Sequence, residues 1–130
     1  MEILALNYEY PPLGGGGGVG LKNYAEEWVR QGHDVDVITA AQDLSYRQET
    51  IGGVQVFRVP VYPPQTPNVT SFFTMLSYLI SAVLLGMKKI ATGQYDVINT
   101  HFAIPTGPAG LFLSRMSQTP QVLTIIGGDI

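Results

Sequence analysis

The residues with the clearest chemical potential are a run of glycines near the start of the chain. Gly14–Gly18 follow Tyr10-Pro11-Pro12 and separate a short apolar segment, Ile3–Leu6, from a segment with helical periodicity. Glycine lets backbone N–H groups approach an anion closely, and the N-terminus of the next helix adds partial positive charge. Open α/β sheets bind ligands at such strand-to-helix loops. The loop therefore predicts a phosphate or pyrophosphate site.

Two nucleotide-binding patterns can be compared with this loop. Gly15, Gly17 and Gly20 satisfy G-x-G-x-x-G, and Asp43 stands near the position of a ribose-binding acid, so a nicotinamide dinucleotide is one candidate ligand. In a dinucleotide fingerprint, however, the glycines leave the strand directly, whereas residues 8–13 intervene here. A P-loop is excluded because Gly20 is followed by Leu-Lys-Asn.

Composition narrows the functional classes. The 130 residues are 45% hydrophobic and 13% charged, which excludes a disordered chain and predicts one domain. The formal net charge is −3 without a basic block, so we expect no nucleic-acid partner. Cysteine is absent, which excludes disulfides and thiolate metal sites, and two distant histidines make a metal improbable. No secretory leader pattern follows Met1, so we expect a cytoplasmic protein. The cysteine and histidine counts lead us to expect no metal cofactor.

The elements that must position the loop alternate between strands and helices. A strand at Ile3–Leu6 precedes a helix at Leu21–Gln31, which Gly32 caps. The polar stretch Asp43–Thr50 is predicted to be a loop, and Gly52-Gly53 a turn. The remaining predicted elements are strands at Val35–Ala40, Val54–Val59, Asp96–Thr100 and Gln121–Ile126, and helices at Ser71–Thr92 and Pro105–Ser117. This alternation predicts an α/β fold with a doubly wound parallel sheet of five or more strands.

The predicted second helix is unusually apolar. No charged residue occurs between Arg58 and Lys88. The proline-free part, Phe72–Met87, is shorter than the roughly 20 residues of a membrane span, and Thr74, Ser77, Ser81 and Lys88 form a weak polar stripe. We expect this helix to pack on the sheet. Contact with a membrane surface or with a partner domain is the alternative.

Several blocks resemble family 4 (group 1) glycosyltransferases. They are Tyr10-Pro11-Pro12 with the glycines, Gly32-His33-Asp34-Val35, Tyr95–His101, and Pro120–Thr124 leading to Gly127-Gly128-Asp129. They occur in the order found in that family and extend over most of the chain.

The resemblance implies a fold and an activity. It implies a Rossmann-like domain that forms the N-terminal, acceptor-side half of a two-domain GT-B fold, with residues 1–130 as that half and the C-terminal, donor-binding domain outside this chain. It also implies metal-independent transfer of a sugar from a nucleotide sugar to an acceptor, with retention of anomeric configuration. We expect the N-terminal half alone to be inactive. Peripheral contact with a membrane surface is a further expectation for this domain.

The resemblance also assigns site residues. Gly15, Gly16, Gly17 and Gly18 match the loop that approaches the donor diphosphate and the acceptor. His101 matches a histidine that follows the Asp-Val-Ile strand and is the candidate catalytic residue, and Asp129 matches an acid that binds an acceptor hydroxyl. Tyr10, at the mouth of the first strand, is a further candidate for sugar or phosphate contact. Ile126 stands where the family often has histidine. A nicotinamide-binding domain and a non-catalytic interaction domain remain as alternatives.

Overall fold

The fold is a sheet between two layers of helices, seen in a computed structural model that describes residues 1–11, 16–62, 72–93, 95–101 and 106–124. In chain order its elements are β1 (Glu2–Leu6), α1 (Gly16–Arg30), β2 (Asp34–Ala40), β3 (Arg47–Ile51), β4 (Val54–Val59), α2 (Phe72–Thr92), β5 (Val97–His101), α3 (Thr106–Ser117) and β6 (Gln121–Thr124).

The six strands form one sheet in the order β3-β4-β2-β1-β5-β6. Every neighbouring pair is parallel except β3 and β4, which are antiparallel. This arrangement confirms the predicted doubly wound α/β fold and adds an antiparallel edge strand to it.

The prediction of a loop at Asp43–Thr50 is wrong, because β3 occupies Arg47–Ile51. Gly52 and Gly53 have φ of 59° and 84°, values typical of the two-residue turn that joins antiparallel strands. The strand is polar and largely exposed because it lies at the sheet edge, where polar side chains discourage pairing with other chains. The polar composition of β3 is therefore the reason that the sequence predicted a loop at this position.

The two faces of the sheet bury separate apolar clusters. On one face, Leu21 and Ala25 of α1 pack on Ile3, Ala5 and neighbouring strand residues. On the other face, α2 and α3 pack on side chains that include Leu4, Leu6 and Ile98. The alternation along each strand therefore determines which helix layer a side chain meets.

The first helix begins at Gly16 and not at Leu21, so Gly16–Gly18 form its first turn and are not part of a loop. It ends as predicted at Gly32, with φ of 97°. The N–H groups of Gly32 and His33 donate to the carbonyls of Val29 and Trp28, which is a Schellman cap.

The second helix packs along the sheet, as expected. Thr74, Tyr78, Ala82 and Gly86 are its buried residues, one per turn, and the Tyr78 hydroxyl donates to the Ile38 carbonyl at 2.9 Å. Its 21 residues are long and apolar enough to cross a membrane, and only 22% of its 18-residue apolar window is buried in the protein. Because the Tyr78 contact and the buried stripe bind the helix to the sheet, it lies on the domain as a layer.

The weak polar stripe predicted on this helix does not form a solvent-facing surface. Thr74 is buried, Ser77 Oγ accepts a hydrogen bond from the Tyr62 N–H at 3.0 Å, and Ser81 Oγ donates to the Pro60 carbonyl at 2.9 Å. Of the four residues in the stripe, only Lys88 is exposed.

Candidate functional site

The sheet has a topological switch point between β1 and β5. From β1 the chain passes through α1 to β2 on one side, and from β4 it passes through α2 to β5 on the other side of β1. In open α/β sheets the crevice outside the carboxyl ends of such strands is the usual ligand site. Leu6 pairs with Thr100, so Asn7 and His101 follow at neighbouring positions of this rim.

His101 ends β5 and is 2% exposed. Neither ring nitrogen has a hydrogen-bond partner among the described residues, although both are buried. Burial lowers the pKa of His101 to about 4, so the imidazole is neutral near pH 7. A neutral imidazole offers one donor and one acceptor, and leaving both unsatisfied in the interior is costly. A ligand hydroxyl or phosphate oxygen is suited to satisfy them.

His101 and Asn99 point to the face of the sheet that α1 covers, because Val97, on the same side of β5 by alternation, packs against the cluster beneath α1, whereas Ile98 belongs to the opposite cluster. Asn99 Nδ2 donates to Thr124 Oγ1 at 3.4 Å, while Asn99 Oδ1 has no partner in the described part of the chain. The rim therefore brings a buried polar pair to the side on which α1 begins.

The first turn of α1 lies directly against the segment that leaves β1. A Cβ at Gly18 would be 3.0–3.1 Å from the carbonyl carbon and Cβ of Glu9 and from the amide nitrogen of Tyr10. Glycine at position 18 therefore allows the helix to approach this backbone. The first N–H groups of a helix have no partner within it, so this end can donate to an anion.

The chain after β1 is held in place by hydrogen bonds to β2. The Asn7 N–H donates to the Ile38 carbonyl at 3.3 Å, and Thr39 Oγ1 donates to the Tyr8 carbonyl at 3.1 Å. Asn7 Oδ1 then accepts from the Glu9 N–H at 3.0 Å, which turns the chain away from the strand.

The sequence analysis did not identify Arg58, whose hydrogen bonds hold the Tyr10-Pro11 segment that leads to the glycines. It lies on β4 and is 4% exposed. Its guanidinium donates to the carbonyls of Tyr10 and Pro11, and to Glu49 Oε2 at 3.1 Å. The available signal was a single cation at the end of a valine-rich strand, where a buried arginine needs several acceptors.

The side chain of Tyr10 is fully buried and packs in the cluster beneath α1. Burial, together with the nearby Glu26, raises its pKa to about 12, so the phenol is neutral. The ring packs in the core, its buried hydroxyl has no partner in the described part of the chain, and its carbonyl is what Arg58 binds. Gly15 and Asp129, and with them part of the predicted site, lie outside the described residues.

The geometry gives little support to a dinucleotide or a metal ion as the ligand. Asp43 is exposed, and its Oδ1 accepts hydrogen bonds from the N–H and the hydroxyl of Ser45, which lower the pKa of the carboxyl. The acid is thus engaged in its own turn. Within the described ranges, no three His, Asp or Glu side chains cluster as a metal site would require.

The chain belongs to the glycosyl transferase 4-like domain family, whose pattern matches residues 15–130. An uncharacterized glycosyltransferase of Methanocaldococcus jannaschii is 34% identical over the whole chain, which covers 32% of that relative. The putative teichuronic acid biosynthesis glycosyltransferase TuaC of Bacillus subtilis is 30% identical, again over the whole chain and 37% of its own length. The chain thus spans about a third of the length of these curated relatives.

Solved structures support the fold. Sucrose-phosphate synthase from Thermosynechococcus elongatus superposes with a TM-score of 0.71 at 16% identity, over 99% of this chain and 65% of that chain. The C-terminal domain of a Pyrococcus furiosus hydrogenase superposes with a TM-score of 0.66 at 16% identity, over 94% of this chain and 89% of that one. Proteins with such different activities share this fold, so the likeness describes architecture alone.

Proposed function

We propose that residues 1–130 form the acceptor-side domain of a retaining glycosyltransferase that uses a nucleoside diphosphate sugar. The observation that carries the proposal is His101, a buried imidazole without a partner in the described chain, at the switch point of the sheet. The N-terminal turn of α1 lies on the same side of the sheet. Family membership over most of the chain gives the reaction class.

In the proposed reaction, the bond between sugar C1 and the diphosphate oxygen breaks as a bond from C1 to an acceptor hydroxyl oxygen forms. The acceptor proton leaves with the nucleoside diphosphate. Negative charge grows on the leaving phosphate, where the N–H groups of Gly16–Gly18 at the start of α1 supply partial positive charge. No metal ion is needed for this stabilisation, so activity should persist in EDTA.

His101 acts as a neutral positioning group in this proposal. With a pKa of about 4 it is not a cation near pH 7, so it orients a sugar or acceptor hydroxyl through hydrogen bonds. Asp129 and Gly15 keep their predicted roles at the acceptor and the diphosphate. Because the chain spans about a third of its relatives, we propose that a C-terminal domain completes the donor site.

The test uses the whole protein and a panel of nucleotide sugars, with release of nucleoside diphosphate as the readout. We expect His101→Asn to lower kcat/KM roughly ten- to a hundredfold, since one well-placed hydrogen bond and the orientation it enforces are lost. His33→Asn is the matched control. His33 precedes β2 at the amino ends of the strands, opposite to the rim that holds His101, and it contacts the N-terminal amine. NMR of the product then reports the anomeric configuration.

Two results would contradict the proposal. Equal rates for the His101→Asn enzyme and the wild type would remove His101 from the site. An inverted product anomer would leave the transferase class intact and overturn the retaining mechanism.

A further inference from the structure

The exposed side of α2 is a continuous apolar stripe. Phe72, Leu76, Ile80 and Leu84 recur every four residues and are all exposed, from 42% for Leu76 to 72% for Phe72. Phe73 and Met87 flank them and are also exposed. The helix packs Tyr78, Leu79 and Leu85 against the core, and it also exposes a second apolar side where a helix of a soluble domain usually carries polar residues.

The stripe continues onto the neighbouring helix. A groove of about 340 Å³ separates α2 from α3, and all seven residues that line it are apolar, among them Ile80, Leu84 and Phe112. On α3, Phe112 is 50% exposed. We define the docking face as Phe72, Leu76, Ile80, Leu84 and Phe112. Contiguous exposed apolar surface of this kind marks an interaction site.

Charge indicates what the docking face meets. Neither α2 nor α3 contains an acidic residue, although the chain holds ten and has a net charge of −3. Three of the seven basic residues, Lys88, Lys89 and Arg115, belong to these two helices. Lys88 stands one turn after Leu84, at the end of the stripe, and both Lys88 and Arg115 are exposed.

We propose that the docking face binds an anionic lipid bilayer, with α2 lying in the interface plane. Apolar side chains enter the boundary between headgroups and acyl chains, while Lys88 and Arg115 contact lipid phosphates. The helix does not cross the bilayer, because its other side is bound to the sheet through Thr74, Tyr78 and Ala82. This proposal is independent of the proposed sugar transfer.

Vesicle co-sedimentation of the whole protein tests the proposal without an activity assay. We expect binding to vesicles of phosphatidylcholine mixed with phosphatidylglycerol, weaker binding to phosphatidylcholine alone, and loss of the difference at high salt. Leu84→Gln should lower the partition coefficient roughly five- to tenfold. Leu44→Gln is the matched control and should not lower it, because Leu44 is 64% exposed, against 63% for Leu84, and lies in the turn after β2.

The charge contribution has its own variant. Lys88→Gln should reduce binding to the anionic vesicles roughly fivefold and leave binding to phosphatidylcholine unchanged. Arg30→Gln is the control, since Arg30 is exposed on α1, on the other face of the sheet. Wild-type protein that stays in the supernatant with anionic vesicles, or equal losses for Leu84→Gln and Leu44→Gln, would overturn the proposal.

A second measurement distinguishes a lipid occupant from a protein one. The 130 residues contain no cysteine, so Leu84→Cys introduces one defined thiol here for a polarity-sensitive fluorophore. We expect that thiol to react in the free protein and its probe to shift to the blue on adding anionic vesicles, with Leu44→Cys unshifted. A thiol at 84 that does not react, or a dimer that Leu84→Gln dissociates, would assign the face to another part of the protein or to a second copy.

Discussion

His101 lies where an imidazolium would have no compensating charge in the described part of the rim, and burial lowers its pKa from 6.5 to about 4. The direction of the resulting pH dependence follows from proton linkage. Between these two pH values the unfolded chain binds a proton at this position and the folded chain does not, so protonation favours unfolding. The contribution of the neutral His101 to the free energy of unfolding is therefore complete above pH 6.5, and it decreases as the pH falls toward 4.

We expect the free energy of unfolding to decrease by on the order of 3 kcal/mol over that range on account of His101 alone. His101→Gln should flatten this part of the profile, because glutamine does not titrate. Thermal unfolding of both proteins across the range measures the difference, and NMR of ¹³C-labelled histidine reports the midpoint directly. A His101 midpoint near 6.5 would show that the ring is solvated or paired.

Arg58 is the residue on which the approach to the glycines depends. Arg58→Met leaves the carbonyls of Tyr10 and Pro11 and the carboxylate of Glu49 without their donor, so we expect a loss of about 2–4 kcal/mol. Arg30→Met is the control and should cost less than about 1 kcal/mol, because the Arg30 side chain is 76% exposed beside Glu27. Denaturant unfolding measures both values, and similar losses would refute the proposed contribution of Arg58.

The position of His101 could be predicted from the sequence, whereas the contacts of Arg58 could not. His101 follows a recognisable strand and stands at its carboxyl end, so its position at the rim could be predicted. Arg58 binds carbonyls that lie 47 and 48 residues earlier in the chain. No local pattern encodes such a contact, because a carbonyl acceptor exists at every residue and only the folded register selects the two that are used.

At the scale of elements, the start of α1 shows packing overriding propensity. Glycine is a poor helix former, and the sequence therefore predicted that the helix begins at Leu21. The structure begins it at Gly16, because the absence of a side chain at Gly18 lets the first turn contact the Glu9–Tyr10 backbone. A tertiary contact thus extends the helix into residues that would not form it alone.

A pair of alanine substitutions tests this explanation. We expect Gly18→Ala to destabilise the protein by about 1–2 kcal/mol, since its Cβ would crowd backbone atoms at 3.0–3.1 Å. Gly20→Ala meets nothing within 4 Å and should stabilise by up to about 1 kcal/mol through helix propensity. The two melting temperatures should therefore move in opposite directions. A stabilised Gly18→Ala protein would mean that the turn can withdraw from the segment after β1.

Two polar segments are explained only by the fold. The sequence predicted a loop where β3 lies, and it predicted a weak polar stripe on α2 without saying what the stripe contacts. The β3 strand is polar because it lies at an edge, and the serines of α2 are polar because they satisfy the chain at Pro60 and Tyr62. The Gly-Gly pair before Val54 was the signal for a hairpin that could have revealed β3.

At the scale of the molecule, strand order decides which ligand class is expected. The alternation of elements predicted the doubly wound sheet, but the order that puts β5 beside β1 depends on crossovers that a single sequence does not display. That order places His101 next to the carboxyl end of β1. Asp43, the acid expected for a dinucleotide ribose, instead bonds Ser45 in an exposed turn.

Thermal shifts of the whole protein separate these ligand classes. We expect at least one of UDP, GDP and ADP to raise the melting temperature. At a concentration about a hundredfold above its Kd, a ligand that binds only the folded state contributes about 2.7 kcal/mol. NADH should produce no shift. A larger shift with NADH than with every nucleoside diphosphate would favour a dinucleotide site.

The side-by-side packing of α2 and the strands has a geometric consequence for a bilayer-bound protein. Because α2 connects two parallel strands, it runs antiparallel to them, and a helix lying flat on lipid holds the strands parallel to the bilayer as well. The crevice at the carboxyl ends of β1 and β5, where we propose the donor and acceptor bind, then opens sideways, roughly 10 Å above the headgroups, which is one layer of secondary structure. A water-soluble donor could enter from the side, while an acceptor anchored in lipid would reach the crevice only through a polar headgroup or spacer of comparable length.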